Sequence, residues 1–145
     1  MEAASLSNID AIRAGVAKVS GDFTVALESL GFKRTKKMVW LRQRGNVVER
    51  IGMLRLGATG PALDASVRLR LIFSVDDLSG QRLTSGPDDG LIYGDHLRDS
   101  DGRGYHLRFN ASSWSTYDRC VADLTRIVRE QGLPWFDSQQ DAAAN

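Results

Sequence analysis

The hydrophobic period of this chain switches from helical to two-residue and back, and that switch restricts the folds open to it. Ile9, Ile12, Val16, Val19, Phe23, Leu27 and Leu30 recur at steps of three and four, which predicts an amphipathic helix with one apolar stripe. From Lys37 to Phe109 the period is two, and Tyr117, Cys120, Val121, Leu124, Ile127 and Val128 return to helical spacing. A helix, a block of strands and a second helix pack most simply in two layers. The expectation is an α+β fold: a single antiparallel sheet of about five strands, with the N-terminal and C-terminal helices on one face.

Local signals place the boundaries. Ser7 is a candidate cap for the first helix, Gly31 supplies a left-handed stop, and Phe32 can fold back over the last turn. The interior Gly15 and Gly21 each weaken a helix by about 1 kcal/mol against alanine, so a bend or a close neighbour is expected there. Strands are predicted over 38–43 and 47–56, joined at Arg44-Gly45-Asn46, and over 67–73, 91–97 and 105–109. In the third of these, Val67, Leu69, Leu71 and Phe73 share one face, while Arg68 and Arg70 point to the other, wet one. Residues Asp76 to Gly90 hold Gly80, Gly86, Pro87 and two aspartate pairs, which predicts a long exposed loop. The Ser112-Ser113-Trp114-Ser115 cluster opens the second helix, Gly132 is expected to end it, and Pro134 to prevent its continuation. Trp135 and Phe136 are expected to dock on the sheet or the first helix. Phe23, Leu27, Leu69, Leu71, Leu124 and Trp135 are the expected core.

One domain over 1–145, with an ordered core over about 7–137 and a flexible tail over 138–145, suits a chain of 145 residues with formal net charge +1. The one cysteine, Cys120, has no partner for a disulfide, and the cytoplasm is the expected compartment. No segment has the apolar length of a membrane span and the N-terminus lacks a basic region followed by an apolar run, so no membrane association is expected.

The order helix, Gly31-Phe32-Lys33-Arg34, strand start Trp40-Leu41-Arg42, and a closing helix followed by Leu133-Pro134-Trp135-Phe136 resembles an uncharacterised bacterial helix-sheet-helix family, catalogued as domain of unknown function 4304. The likeness spans residues 9 to 137. It implies one antiparallel sheet with flanking helices and a bacterial source. The family carries no established catalytic residues.

Catalytic motifs are not evident. His96, His106 and Cys120 lack the close spacing of a zinc site, and neither a metal nor a cofactor is expected. Cys120 on an apolar helical face reads as a small core residue. Asp99-Ser100-Asp101-Gly102 resembles part of a calcium loop, but Leu97 and Arg108 occupy its terminal ligand positions, so it reads as a turn. Gly57-Ala58-Thr59-Gly60-Pro61 lacks the Lys-Ser/Thr of a phosphate loop.

Charge is more informative. Residues 31 to 74 carry ten basic side chains against Glu49 and Asp64, whereas residues 75 to 101 carry seven aspartates against Arg82 and Arg98. Near-neutrality hides a dipole along the sequence. The favoured expectation is a protein-binding module, for example an immunity-type toxin neutraliser, meeting a basic protein partner through Asp76, Asp77, Asp88 and Asp89. The alternative is a nucleic-acid or phosphate-ligand binder using Arg42, Arg50, Arg68 and Arg70, with Trp40 or Tyr105 as stacking platforms. An enzyme built on Asp95, His96 and His106 is the third class. A self-contained outcome, in which the aspartates fold against the chain's own basic strands, competes with all three.

Overall fold

In the computed structural model, which describes residues 2–56, 65–86 and 98–144, helix α1 (Glu2–Glu28) leads into strands β1 (Lys33–Lys36), β2 (Val39–Arg44), β3 (Val47–Leu56), β4 (Ser66–Asp77), β5 (Arg82–Gly86) and β6 (Arg108–Asn110). Helix α2 (Tyr117–Ile127), a π-helical turn over Val128–Gly132 and helix α3 (Leu133–Ala144) close the chain. The sheet is antiparallel throughout in the order β1-β2-β3-β4-β5, with β6 pairing the other end of β4. This is the expected α+β arrangement.

Alternation carries the expected apolar face. Val67, Leu69, Phe73 and Val75 of β4 align with Ile51 and Met53 of β3, and all are buried. The helices cover that face. Phe23 of α1 meets Trp40 edge-on at 5.1 Å, and the Trp40 indole N–H donates to the Thr24 hydroxyl at 2.9 Å. Gly15 lies where a Cβ would stand 2.9 Å from Ala111 and 3.1 Å from Phe109, so α1 crosses β6 there with no room for a side chain. Gly21 has open space around it. At the end of α1, Gly31 takes φ 91° and Phe32 is fully buried, the glycine stop and its hydrophobic contact.

Several boundaries differ from the sequence expectation. Ser7 lies inside α1, not at its start. β1 is an added edge strand whose four polar residues are all exposed; with one neighbour and no apolar face it has no two-residue signature, and its lysines suit an edge that must not recruit another strand. Asp76 and Asp77 end β4, and β5 follows within the segment expected to be a loop. The strand expected over 105–109 is shorter, with Arg98 and Gly104 forming an isolated bridge before it. The strand expected over 91–97 lies outside the described residues.

Gly132 and Pro134 do not end the last helix. Pro134 cannot donate a backbone bond, and the wider π turn before it carries the chain across that gap into α3, which reaches Ala144 through the segment expected to be a loose tail. Gly132 serves packing instead: a Cβ there would sit 2.9 Å from the Phe73 ring. Phe136, one turn later, is fully buried against Phe73 at 5.7 Å and Phe32 at 5.8 Å. Trp135 and Leu71, both expected to be deeply buried, are only partly covered; the Trp135 indole lies over Gly86 at the β5 edge.

One charge sits inside this face. Glu49 is fully buried and accepts from Arg42 Nε at 2.7 Å and from Arg44 Nη2 and Nε at 2.7 and 3.0 Å. Arg42 also donates to the Leu30 carbonyl at 3.0 Å and lies 4.5 Å over the Phe32 ring, while Arg44 reaches Asp137 of α3 at 2.9 Å. The hairpin β2–β3 is thereby tied to the end of α1 and to α3.

Two stability outcomes follow. Phe136→Ala lowers the unfolding free energy by roughly 3 to 5 kcal/mol in urea denaturation, as for other buried phenylalanines; a change within experimental error would remove α3 from the core. Glu49→Gln leaves two partly exposed arginines facing a neutral amide and lowers the unfolding free energy by about 1.5 to 3 kcal/mol, the range for losing hydrogen bonds to a charged group.

Candidate functional site

The sheet surface opposite the helices carries the even-numbered residues of β4. Arg68 there stands directly across from Arg108 of β6. The Leu69 N–H donates to the Leu107 carbonyl at 2.9 Å, which extends the pairing one step and brings His106 alongside Arg70. Arg68, Arg70, His106 and Arg108, with Gly104, Tyr105 and Leu107, line a cleft of about 220 Å³. No carboxylate lines it among the described residues. Arg68 and Arg108 are exposed and make no ion pair among the described residues. Two like charges placed directly opposite in a sheet are destabilising by a few tenths of a kcal/mol or more, about 0.2 to 1.

Arg70 differs from the expectation of a wet arginine. It is 5% exposed, and its Nη1 donates to the Leu69 carbonyl at 2.9 Å. The cause is the position of β4, which has β3 on one side and both β5 and β6 on the other, so neighbouring strands hem in its polar face; Ser74 and Asp76 are buried there too.

His106 is held by its backbone, whose N–H donates to Asp123 Oδ2 at 2.6 Å. Its ring Nε2 is buried with no hydrogen-bond partner among the described residues. Burial, followed by the cations Arg119 and Arg108, pushes the imidazole below its ordinary value of 6.5, against the pull of Asp123. The ring is therefore neutral at neutral pH, and an anion entering the cleft raises its affinity for a proton.

Arg126 of α2 anchors the segment that carries this wall of the cleft. It reaches Asp99 at 2.9 Å, and Asp123 and Glu130 at 3.2 Å each. Asp99 in turn accepts the backbone N–H groups of Asp101 and Arg103 at 2.9 Å, closing a turn with Gly102 at φ 80°. The hydrogen bond from Arg126 is the chief cause holding the Asp99 carboxyl below the usual range. Tyr105 donates its hydroxyl to Glu130 at 2.7 Å and has Arg126 over its ring at 5.4 Å.

The other residues singled out by sequence are dispersed. Arg42 lies on the helix-covered face, committed to Glu49 and Leu30. Trp40 is fully buried and cannot stack on a ligand. Arg50 sits on the open face at 4.0 Å from Asp76. Asp76 is 6% exposed and also pairs with Arg82 at 3.2 Å. Asp77 accepts from the backbone N–H groups of Ser79 and Gln81 at 2.9 Å each and from the Ser79 hydroxyl, which caps the β4–β5 turn. Neither aspartate occupies a free loop. Asp88, Asp89, Asp95 and His96 lie outside the described residues. Arg108 and Arg119 were not singled out, because only the β4–β6 register brings Arg108 to the cleft and only the packing of α2 brings the charge of Arg119 to bear on His106.

Among the described residues no group of three or more histidine, cysteine or acidic side chains is arranged to hold a metal ion, and no helix is long and apolar enough to cross a membrane. No protein-family model, curated protein or solved structure matches the chain.

Cys120 is fully buried, and burial, with Asp123 adding to it, pushes its thiol up to about 12. An aromatic disulfide reagent at about pH 8 should leave the native protein unlabelled and react with one thiol on denaturation; prompt labelling of the folded protein would place Cys120 in an open environment.

Proposed function

We propose that the protein is a binding module for a phosphate-bearing ligand, held in the cleft between Arg68 and Arg108. The observation that carries this reading is the register of β4 and β6, which sets face to face two arginines that make no ion pair among the described residues. A stability-driven sheet avoids that pairing, whereas a doubly charged oxyanion between the guanidinium groups turns the repulsion into two charge-assisted, bidentate contacts. Arg119, whose charge acts on His106 beside the cleft, adds to the positive field, and a cleft of about 220 Å³ suits a phosphoryl group more than a base.

A long nucleic-acid track has less support. Arg42 and Trp40 face the helices, on the side away from Arg68, and Arg50 is beside Asp76. The acidic protein-recognition surface also loses two of its four residues to internal contacts, since Asp76 pairs within the sheet and Asp77 caps a turn.

Calorimetric titration with inorganic pyrophosphate at low salt tests the assignment. Binding is expected, falling as salt is raised because charge contacts dominate. Arg68→Gln combined with Arg108→Gln should weaken it by about tenfold or more. Arg108→Gln alone should leave the fold intact and raise its stability by about 0.2 to 1 kcal/mol as the like-charge pair is relieved. Absence of binding at low salt, or unchanged affinity in the double variant, rejects the site.

A further inference from the structure

A second cleft lies on the opposite side of the molecule, between α1 and the start of the β1–β2 hairpin, and it has a different chemistry. Its volume is about 360 Å³. Arg13, Val16, Ala17 and Ser20 of α1 fall at i, i+3, i+4 and i+7, so one stripe of the helix forms a wall. Ile12, Val16, Ala17 and Met38 supply an apolar floor, on which the Ser20 hydroxyl is already spent, donating to the Val16 carbonyl and to Met38 Sδ at 2.8 and 3.1 Å.

The rim is cationic. Arg13, Arg34, Lys37 and Arg55 line it, and no acidic residue does among the described residues. These four side chains come from α1, β1, the hairpin turn and the end of β3, so the fold, not one basic run, collects them. None makes an ion pair among the described residues. Arg34 is fixed in place, donating from Nε and Nη2 to the Lys37 carbonyl at 3.0 and 2.7 Å. That carbonyl is neutral, so the guanidinium keeps its full charge at the mouth.

We propose that this cleft binds a single-chain amphiphilic anion, of the fatty carboxylate class, with its acyl chain along Val16, Ala17 and Met38 and its head group among Arg13, Arg34, Lys37 and Arg55. Apolar floor and charged rim are needed together. An inorganic anion would leave the floor wet, and a neutral hydrocarbon would leave four cations unanswered. A cleft near the lower end of the usual ligand-pocket range, about 300 to 1,000 Å³, takes one chain and not a two-chain lipid.

Calorimetric titration with dodecanoate below its micellar concentration is the experiment, run beside butanoate, which has the head without the chain, and dodecyl maltoside, which has the chain without the charge. Dodecanoate binds at one site, and both controls bind at least about tenfold more weakly. Arg13→Gln with Arg55→Gln, two exposed positions, lowers dodecanoate affinity about tenfold and leaves the circular dichroism spectrum unchanged. Ala17→Trp, also at an exposed position, fills the cleft and abolishes binding. Pyrophosphate binding at the Arg68–Arg108 cleft is unaffected by either change, which separates the two sites. No dodecanoate binding, equal binding of dodecyl maltoside, or full affinity in the arginine double variant overturns the proposal.

Discussion

A fully buried carboxylate cannot be left without positive partners, and Glu49 meets that requirement with Arg42 and Arg44. Arg42 stands directly opposite Glu49 in the β2–β3 register, so a slip of one residue would strand the charge on the helix side with apolar neighbours. The same two arginines reach outward to the Leu30 carbonyl, the Phe32 ring and Asp137. Hairpin register, the exit of α1 and the seat of α3 are thus conditions on one carboxylate. An ion group of this kind adds little net stability over an apolar core, but it penalises every arrangement in which it is incomplete.

Around that centre the packing is aromatic and close. Phe32, Phe73 and Phe136 join α1, the sheet and α3 in one cluster, and Gly132 lets the helical chain come down onto Phe73. Phe109 and Tyr117 meet edge-on at 5.0 Å at the other end of the same sheet face, where Gly15 of α1 presses against Phe109. Glycine at these two crossings sets how near the helices sit, and any side chain there would need the layers to separate.

The charges not used internally end up on opposite sides. Several acidic groups among the described residues are taken up internally: Asp76 by Arg50 and Arg82, Asp99 and Asp123 by Arg126, Asp22 by Lys18 and the Tyr117 hydroxyl. Among the described residues, two groups of arginines line clefts, one around the β4–β6 pairing and one at the mouth of the α1–hairpin groove. Their surroundings separate their chemistry, since the first is lined mainly by polar groups and the second has an apolar floor.

The sequence by itself determined the fold class, the stop at Gly31 and most of the core, because periods of 3.6 and 2 report directly which side chains share a face. Phe23, Leu27, Leu69 and Leu124 are buried as that periodicity requires. It also exposed the abundance of arginine over residues 31 to 74. Only the tertiary structure decided what those charges do. Strand pairing across forty residues put Arg108 against Arg68, while the β2–β3 register turned Arg42 inward to Glu49. β1 and β5 were illegible because edge strands carry no apolar face, and the helix through Pro134 because a π turn depends on packing, not on local propensity. Local periodicity fixes orientation relative to one element's axis; which charge meets which partner depends on contacts far apart in the chain, and no window along the sequence contains them.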